Sequence, residues 1–179
     1  MMMEDLEKVV FTPEELAQKI RDMGAQISRD YAGKELFVVG ILKGASMFTM
    51  DLLRAITIPL ELDFIAVSSY GSGVSSGGEV KMLKDTILDM RGKNVLLCED
   101  IIDSGTTMAK LLPMLKGRQP ASLKLCALLS KPSRRVAPVE IDYCGWEVPD
   151  EFIVGYGLDY AEKYRNLPCI GVLKREIYT

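Results

Sequence analysis

The chain has 179 residues, 48% of them hydrophobic and 26% charged, a composition that suits one ordinary globular core and excludes both a disordered chain and two full domains. Its 22 basic and 25 acidic residues leave a formal charge of -3 with no basic block, so duplex nucleic acid has little electrostatic support as a partner. There is no histidine, which excludes Ser/His/Asp triads, Cys/His pairs and H-E-x-x-H metal sites. Proton transfer must therefore rest on Asp, Glu, Lys, Tyr or Cys, and any metal on carboxylate and ligand oxygens.

The start, "MMMEDLEKVVFTPEEL", lacks a basic segment followed by an apolar core, and no apolar run is long enough to span a bilayer, so neither export nor membrane spanning is indicated and the expected location is cytoplasmic. In "TPEELAQKIRDMGAQISRDYAGK", Thr12, Pro13 and Glu15 have capping-box spacing, and Leu16, Ile20, Met23 and Ile27 form an apolar stripe, which predicts an amphipathic helix ending near Gly33. Strands are expected over 35–42, 60–70, 93–100 and 122–130, and helices over 46–56 and 106–118, with Pro113 able to kink the second. The alternation implies right-handed crossovers and a mainly parallel central sheet flanked by helices, an α/β fold whose ligands bind beyond the carboxyl ends of the strands. Cys98, Cys126, Cys144 and Cys169 are scattered without C-x-x-C spacing and read as reduced, mostly core residues.

Two regions break the alternation. "YGSGVSSGGEV" (70–80) fails the G-x-G-x-x-G spacing and reads either as a loose hairpin loop or as a lid that orders over substrate. From about residue 131 the chain is rich in aromatics, turns and short strands, and reads as a small subdomain.

Chemistry concentrates in "VLLCEDIIDSGTTM" (95–108). Asp103-Ser104-Gly105-Thr106-Thr107 can turn tightly after a buried strand and aim backbone N-H groups and three hydroxyls at one small volume, a phosphate cradle; the same residues could instead simply cap a helix. Upstream, Glu99 and Asp100 would repel each other and pay for desolvation unless a diol or a divalent cation lay between them. A ligand with a phosphate beside a ribose would satisfy both halves of the stretch.

This stretch resembles the phosphoribosyl pyrophosphate signature of type I phosphoribosyltransferases, in the form of the hypoxanthine-guanine branch. "GILKGASMF" is similar to the family's pyrophosphate loop, "SSYGSG" to the start of its mobile lid, and "LLSKPSRR" with "PDEFIVGYGLDYAEKYRNLP" to its purine-binding hood. The resemblance implies one type I phosphoribosyltransferase domain over 1–179, with a core at about 34–130, a hood made of the N-terminal segment plus about 131–179, and a flexible lid at about 68–82. It implies transfer of a 5-phosphoribosyl group from phosphoribosyl pyrophosphate to hypoxanthine or guanine, releasing pyrophosphate. Alternatives are a xanthine/guanine-preferring transferase or an RNA-binding nucleotide sensor on the same fold.

By the same resemblance Asp103 is the general base, and Lys43, Gly44, Glu99, Asp100, Asp103, Ser104, Gly105, Thr106, Thr107 and Arg165 bind the phosphoribosyl donor, with Leu42-Lys43 a cis peptide. Ser69 and Tyr70 lead the lid; Lys131 meets the purine 6-oxo group, Phe152 stacks on the base, and Ile153 and Asp159 address its N1 and N2 edge. Mg²⁺ is the implied cofactor, with Glu99, Asp100 and Asp159 as metal residues, and a homodimer or homotetramer is the implied assembly.

Overall fold

A computed structural model describes residues 2–69 and 80–179 of the chain. Among the described residues nine strands form two sheets. Six of them, β2 (Leu36–Leu42), β3 (Leu60–Ser69), β4 (Val80–Lys84), β5 (Asn94–Ile102), β6 (Ser122–Ser130) and β7 (Tyr143–Glu147), stand in the order β4-β3-β2-β5-β6-β7, all parallel except the edge strand β4. The other three, β1 (Leu6–Phe11), β8 (Ile153–Val154) and β9 (Ile170–Leu173), make a small antiparallel sheet in the order β1-β9-β8.

Helices α1 (Pro13–Asp30), α2 (Ser46–Ala55) and α3 (Thr106–Lys116) cover the large sheet, and α4 (Arg175–Tyr178) ends the chain. The predicted capping box of α1 is present, with Glu15 N donating to Thr12 Oγ1 at 3.3 Å and Thr12 N donating to Glu15 Oε2 at 2.8 Å. The helix stops at Asp30, short of the expected Gly33.

Period-two alternation distributes each central strand over both faces. Leu36, Val38, Leu96 and Cys98 join the α1 and α2 side chains in one buried cluster, whereas Phe37, Val39, Val95 and Leu97 join Met108, Leu111 and Leu115 of α3 in another. The first cluster also takes in Ile153, Ile170 and Val172, so the small sheet shares the core of the large one. Phe11 of β1 and Trp146 of β7 close the seam between the sheets with rings stacked 4.0 Å apart, and Lys19 lies over the indole.

Strand β5 runs two residues beyond its expected end at 100, so Glu99 and Asp100 lie inside it and not at its last positions. They tolerate that position because they stand at the carboxyl margin of the sheet, beyond Cys98, where the β2–β5 pairing ends at Gly40. The chain leaves β2 on one side toward β3 and returns on the other as β5. The carboxyl ends of β2 and β5 thus flank the point where the strand order reverses, which is where such sheets bind ligands.

Candidate active site

Two loops meet at that reversal. After β2 the Leu42-Lys43 peptide is cis, and Gly44 follows so close to β5 that a Cβ built there would fall on the Asp100 carboxylate. After β5, Gly105 turns the chain at φ +81 and stands as the N-cap of α3; being glycine, it brings no side-chain acceptor to the helix start. The N-cap position is thus held by neither Asp103 nor Ser104, although Ser104 Oγ accepts from Thr106 N at 3.3 Å. Ser104 Oγ also lies 3.0 Å from Thr106 Oγ1, which gathers two hydroxyls at the turn.

A cavity of about 140 Å³ is lined by Glu99, Asp103, Ser104, Gly105 and Thr107, while Thr106 is exposed at the start of α3. Burial, reinforced by the neighbouring carboxylate, pushes the Glu99 carboxyl well above its usual value, and burial also raises Asp100. A buried adjacent carboxylate pair of this kind suits a hard cation that completes its shell with ligand oxygens. Among the described residues no group of three metal-ligating side chains gathers, and Asp159 is engaged elsewhere.

A second cavity, of about 400 Å³, is lined by Asp103, Lys131, Phe152 and Ile153 together with Ile101, Arg134 and Tyr178. Lys131 is buried at 7% exposure and donates to the Glu151 carbonyl at 2.7 Å, with the Asp150 carboxylate 3.6 Å away. Phe152, 38% exposed, is backed by Tyr178 in a stack of 4.6 Å and meets Tyr160 edge-on. Ile153 is buried and pairs with Val172 in the small sheet. Asp103 and Ile101 line both cavities. A larger hollow of about 560 Å³ opens at the opposite end of the sheet, near Gly33, Ile58 and Lys93, and contains none of these residues.

Lys43, Asp159 and Arg165 form a separate linked group. Lys43 Nζ donates to Glu162 Oε2 at 2.9 Å, a contact that holds the Glu162 carboxyl below its usual value; Arg165 pairs with Asp159 at 3.0 Å and donates to Gly157 O at 2.7 Å. Gly157, at φ +101, packs its Cα against the Gly44 carbonyl and so brings this group to the β2 loop. Ser69 closes β3, and Tyr70 with most of the expected lid lies outside the described residues.

Sequence reasoning missed two residues here. Arg134 Nε lies 2.7 Å from Asp103 Oδ1, a charge contact without hydrogen-bond alignment, since that oxygen is otherwise buried without a hydrogen-bond partner; its guanidinium also reaches Asp150 at 3.3 Å. Arg135 bonds the backbone of the Asp103 loop. The only signal in the sequence was a pair of arginines three and four residues after Lys131.

Over residues 10–161 the chain matches the phosphoribosyl transferase domain family. It is 48% identical over 178 residues to the hypoxanthine-guanine phosphoribosyltransferase of Bacillus subtilis, covering 99% of each chain. It is 52% identical over 178 residues to the bifunctional protein TilS/HprT of Listeria innocua, where the match covers 99% of this chain and spans 28% of that protein. The crystal structure of a hypoxanthine phosphoribosyltransferase from Staphylococcus aureus superposes with a TM-score of 0.96 at 48% identity, over 99% of this chain and 97% of that one.

Proposed function

Because the chain belongs to the phosphoribosyltransferase family, in its hypoxanthine-guanine branch, we infer that it transfers the 5-phosphoribosyl group of phosphoribosyl pyrophosphate to N9 of hypoxanthine or guanine. The products are IMP or GMP and pyrophosphate, a purine salvage reaction. The observation that carries the assignment of roles is that Asp103 lines both cavities, one of purine size and one at a helix start suited to phosphate.

In this reading Ser104, Gly105, Thr106 and Thr107 take the 5-phosphate, while Glu99 and Asp100 face the ribose diol. Lys43 and Gly44 receive the pyrophosphate, and Arg165 does so on release from Asp159. Lys131 keeps ammonium protons free beyond its bond to Glu151, and one of them meets O6 of the purine. Adenine, with an amino group at that position, would leave a buried donor unpaired, so the site rejects it. Phe152 stacks on the base, with the Ile153 backbone and Asp159 toward its N1 and N2 edge.

As the C1 bond to pyrophosphate breaks, positive charge grows on the ribose ring and the flanking carboxylates stabilise it. N9 attacks, N7 becomes acidic, and Asp103 accepts its proton. Mg²⁺ held by Glu99 and Asp100, with Asp159 as a further candidate, would supply charge neutralisation on the leaving pyrophosphate. Ser69 and Tyr70 would lead a lid that keeps water from the reaction centre.

The test is a set of initial rates with phosphoribosyl pyrophosphate and Mg²⁺ against hypoxanthine, guanine, xanthine and adenine. Turnover of the 6-oxopurines hypoxanthine and guanine well above adenine is expected; no turnover with any base sinks the reading. Among the described residues no helix is long and apolar enough to cross a membrane. A cytoplasmic location and a homodimeric or homotetrameric assembly belong to the same proposal, and sedimentation checks the second.

A further inference from the structure

We propose that Arg135 is the positioning residue that shapes the 102–105 loop into a phosphate cradle. It acts through the peptide planes of that loop and touches no ligand itself. The inference rests on the functional reading above.

The side chain of Arg135 is half-buried and serves the carboxyl ends of two neighbouring strands. Its Nε donates to Asp103 O at 3.1 Å, and its Nη2 donates to Ile102 O at 3.3 Å and to the buried Ser130 Oγ at 2.8 Å. The segment carrying it completes the pattern from its backbone: Lys131 N donates to Ile102 O at 2.9 Å, and Val136 N and Ala137 N donate to Ser104 O at 3.0 and 3.1 Å. Every carbonyl from Ile102 to Ser104 is therefore drawn toward the 131–137 segment. Gly105 fits beneath it because a Cβ there would meet Ala137 O and the Arg135 side chain.

The consequence follows from peptide geometry. Across a trans peptide the C=O and the next N–H point in opposite directions, so fixing three successive carbonyls outward turns the N–H groups of Asp103, Ser104 and Gly105 the other way. Among the described residues none of those three N–H groups has a hydrogen-bond partner. They belong to the residues that line the 140 Å³ cavity beside the start of α3, whose first N–H, that of Thr106, is taken by Ser104 Oγ at 3.3 Å. Three convergent unpaired amides at a helix start make an anion nest, and the nest keeps its shape only while its carbonyls are held from behind.

Only a guanidinium fits this duty. Its planar fork reaches acceptors on Ile102, Asp103 and Ser130 at once, which the compact ammonium of lysine cannot do. The neighbouring Arg134 has a different task, since it meets the Asp103 carboxylate while Arg135 holds the Asp103 carbonyl.

The test compares the full wild-type chain with Arg135→Lys and Arg135→Ala in steady-state kinetics, thermal melting, and calorimetric titration with ribose 5-phosphate, which reads the cradle without turnover. Arg135→Ala is expected to raise the KM for phosphoribosyl pyrophosphate and weaken ribose 5-phosphate by about tenfold or more, with the KM for hypoxanthine changed far less. Arg135→Lys should fall between, and methylguanidinium, at a concentration that leaves the melting temperature unchanged, should restore part of the affinity of Arg135→Ala.

Unchanged ribose 5-phosphate affinity in Arg135→Lys and Arg135→Ala overturns the proposal, as does a loss shared equally by both substrates, tracking the melting temperature and insensitive to methylguanidinium. Should Arg135→Ala not fold, Arg135→Lys decides alone. A wild type that binds ribose 5-phosphate but turns over no purine would overturn the functional reading and leave the cradle to be judged on affinity.

Discussion

Asp103 and Lys131 sit one step beyond the ends of adjacent strands, and their separation is set by the β5–β6 register, in which Ile102 stands opposite Ser130. Asp103→Asn keeps the shape and removes the proposed proton acceptor, so kcat should fall by roughly a hundredfold or more while hypoxanthine still binds, as rapid-quench turnover and equilibrium binding would read separately. Lys131→Ala removes the donor proposed to meet O6. The ratio of adenine to hypoxanthine kcat/KM should then rise by about a hundredfold, measured by competition between the two bases. Both residues were legible in the sequence because they fall in motifs with fixed spacing. The ion pair of Arg134 with Asp103 and the grip of Arg135 were not, since they depend on which strands pair and in what register.

At the level of elements, helices α1 and α2 approach so closely at Gly24 that an added Cβ would lie 2.6 Å from Ala55 Cβ and 2.7 Å from its carbonyl oxygen. Gly24→Ala trades better helix propensity for a clash with backbone, and the clash dominates: a loss of about 1–3 kcal/mol is expected in urea unfolding. The far end of α1 is tied to β7 by Tyr143, whose hydroxyl donates to Asp30 Oδ2 at 2.8 Å. Burial and that bond raise the Tyr143 phenol, and burial lifts Tyr31 beside it up to about 12. A phenol whose folded pKa exceeds its unfolded value contributes stability fully present below about pH 10 and lost as pH climbs through the folded value. Tyr143→Phe should therefore be less stable than wild type near neutrality and lose less on alkaline titration, as urea midpoints against pH would record. The periodicity of α1 and the aliphatic runs of β2, β5 and β6 made these elements legible. Strand β1 was not, because its exposure follows no clean alternation and its partner β9 lies at the other end of the sequence.

For the molecule as a whole, the central sheet could be read from alternating elements, whereas the attachment of the small sheet could not. Side chains of β8 and β9 are buried in the same cluster as those of α1, β2 and β5. We infer one domain across 1–179, with the purine side and the phosphate side resting on a common core. That leaves the two halves of the site little freedom to melt apart, and it bears on the chain's one tryptophan. Trp146 is stacked on Phe11 at the seam between the sheets and lines neither cavity of the site, so the protein carries its own optical reporter of whether the seam is closed. With one shared core, the red shift of Trp146 emission and the loss of far-ultraviolet ellipticity should coincide during denaturation. A shift that ran ahead would make the small sheet a detachable cover, and the same emission could then be followed during turnover to time its movement.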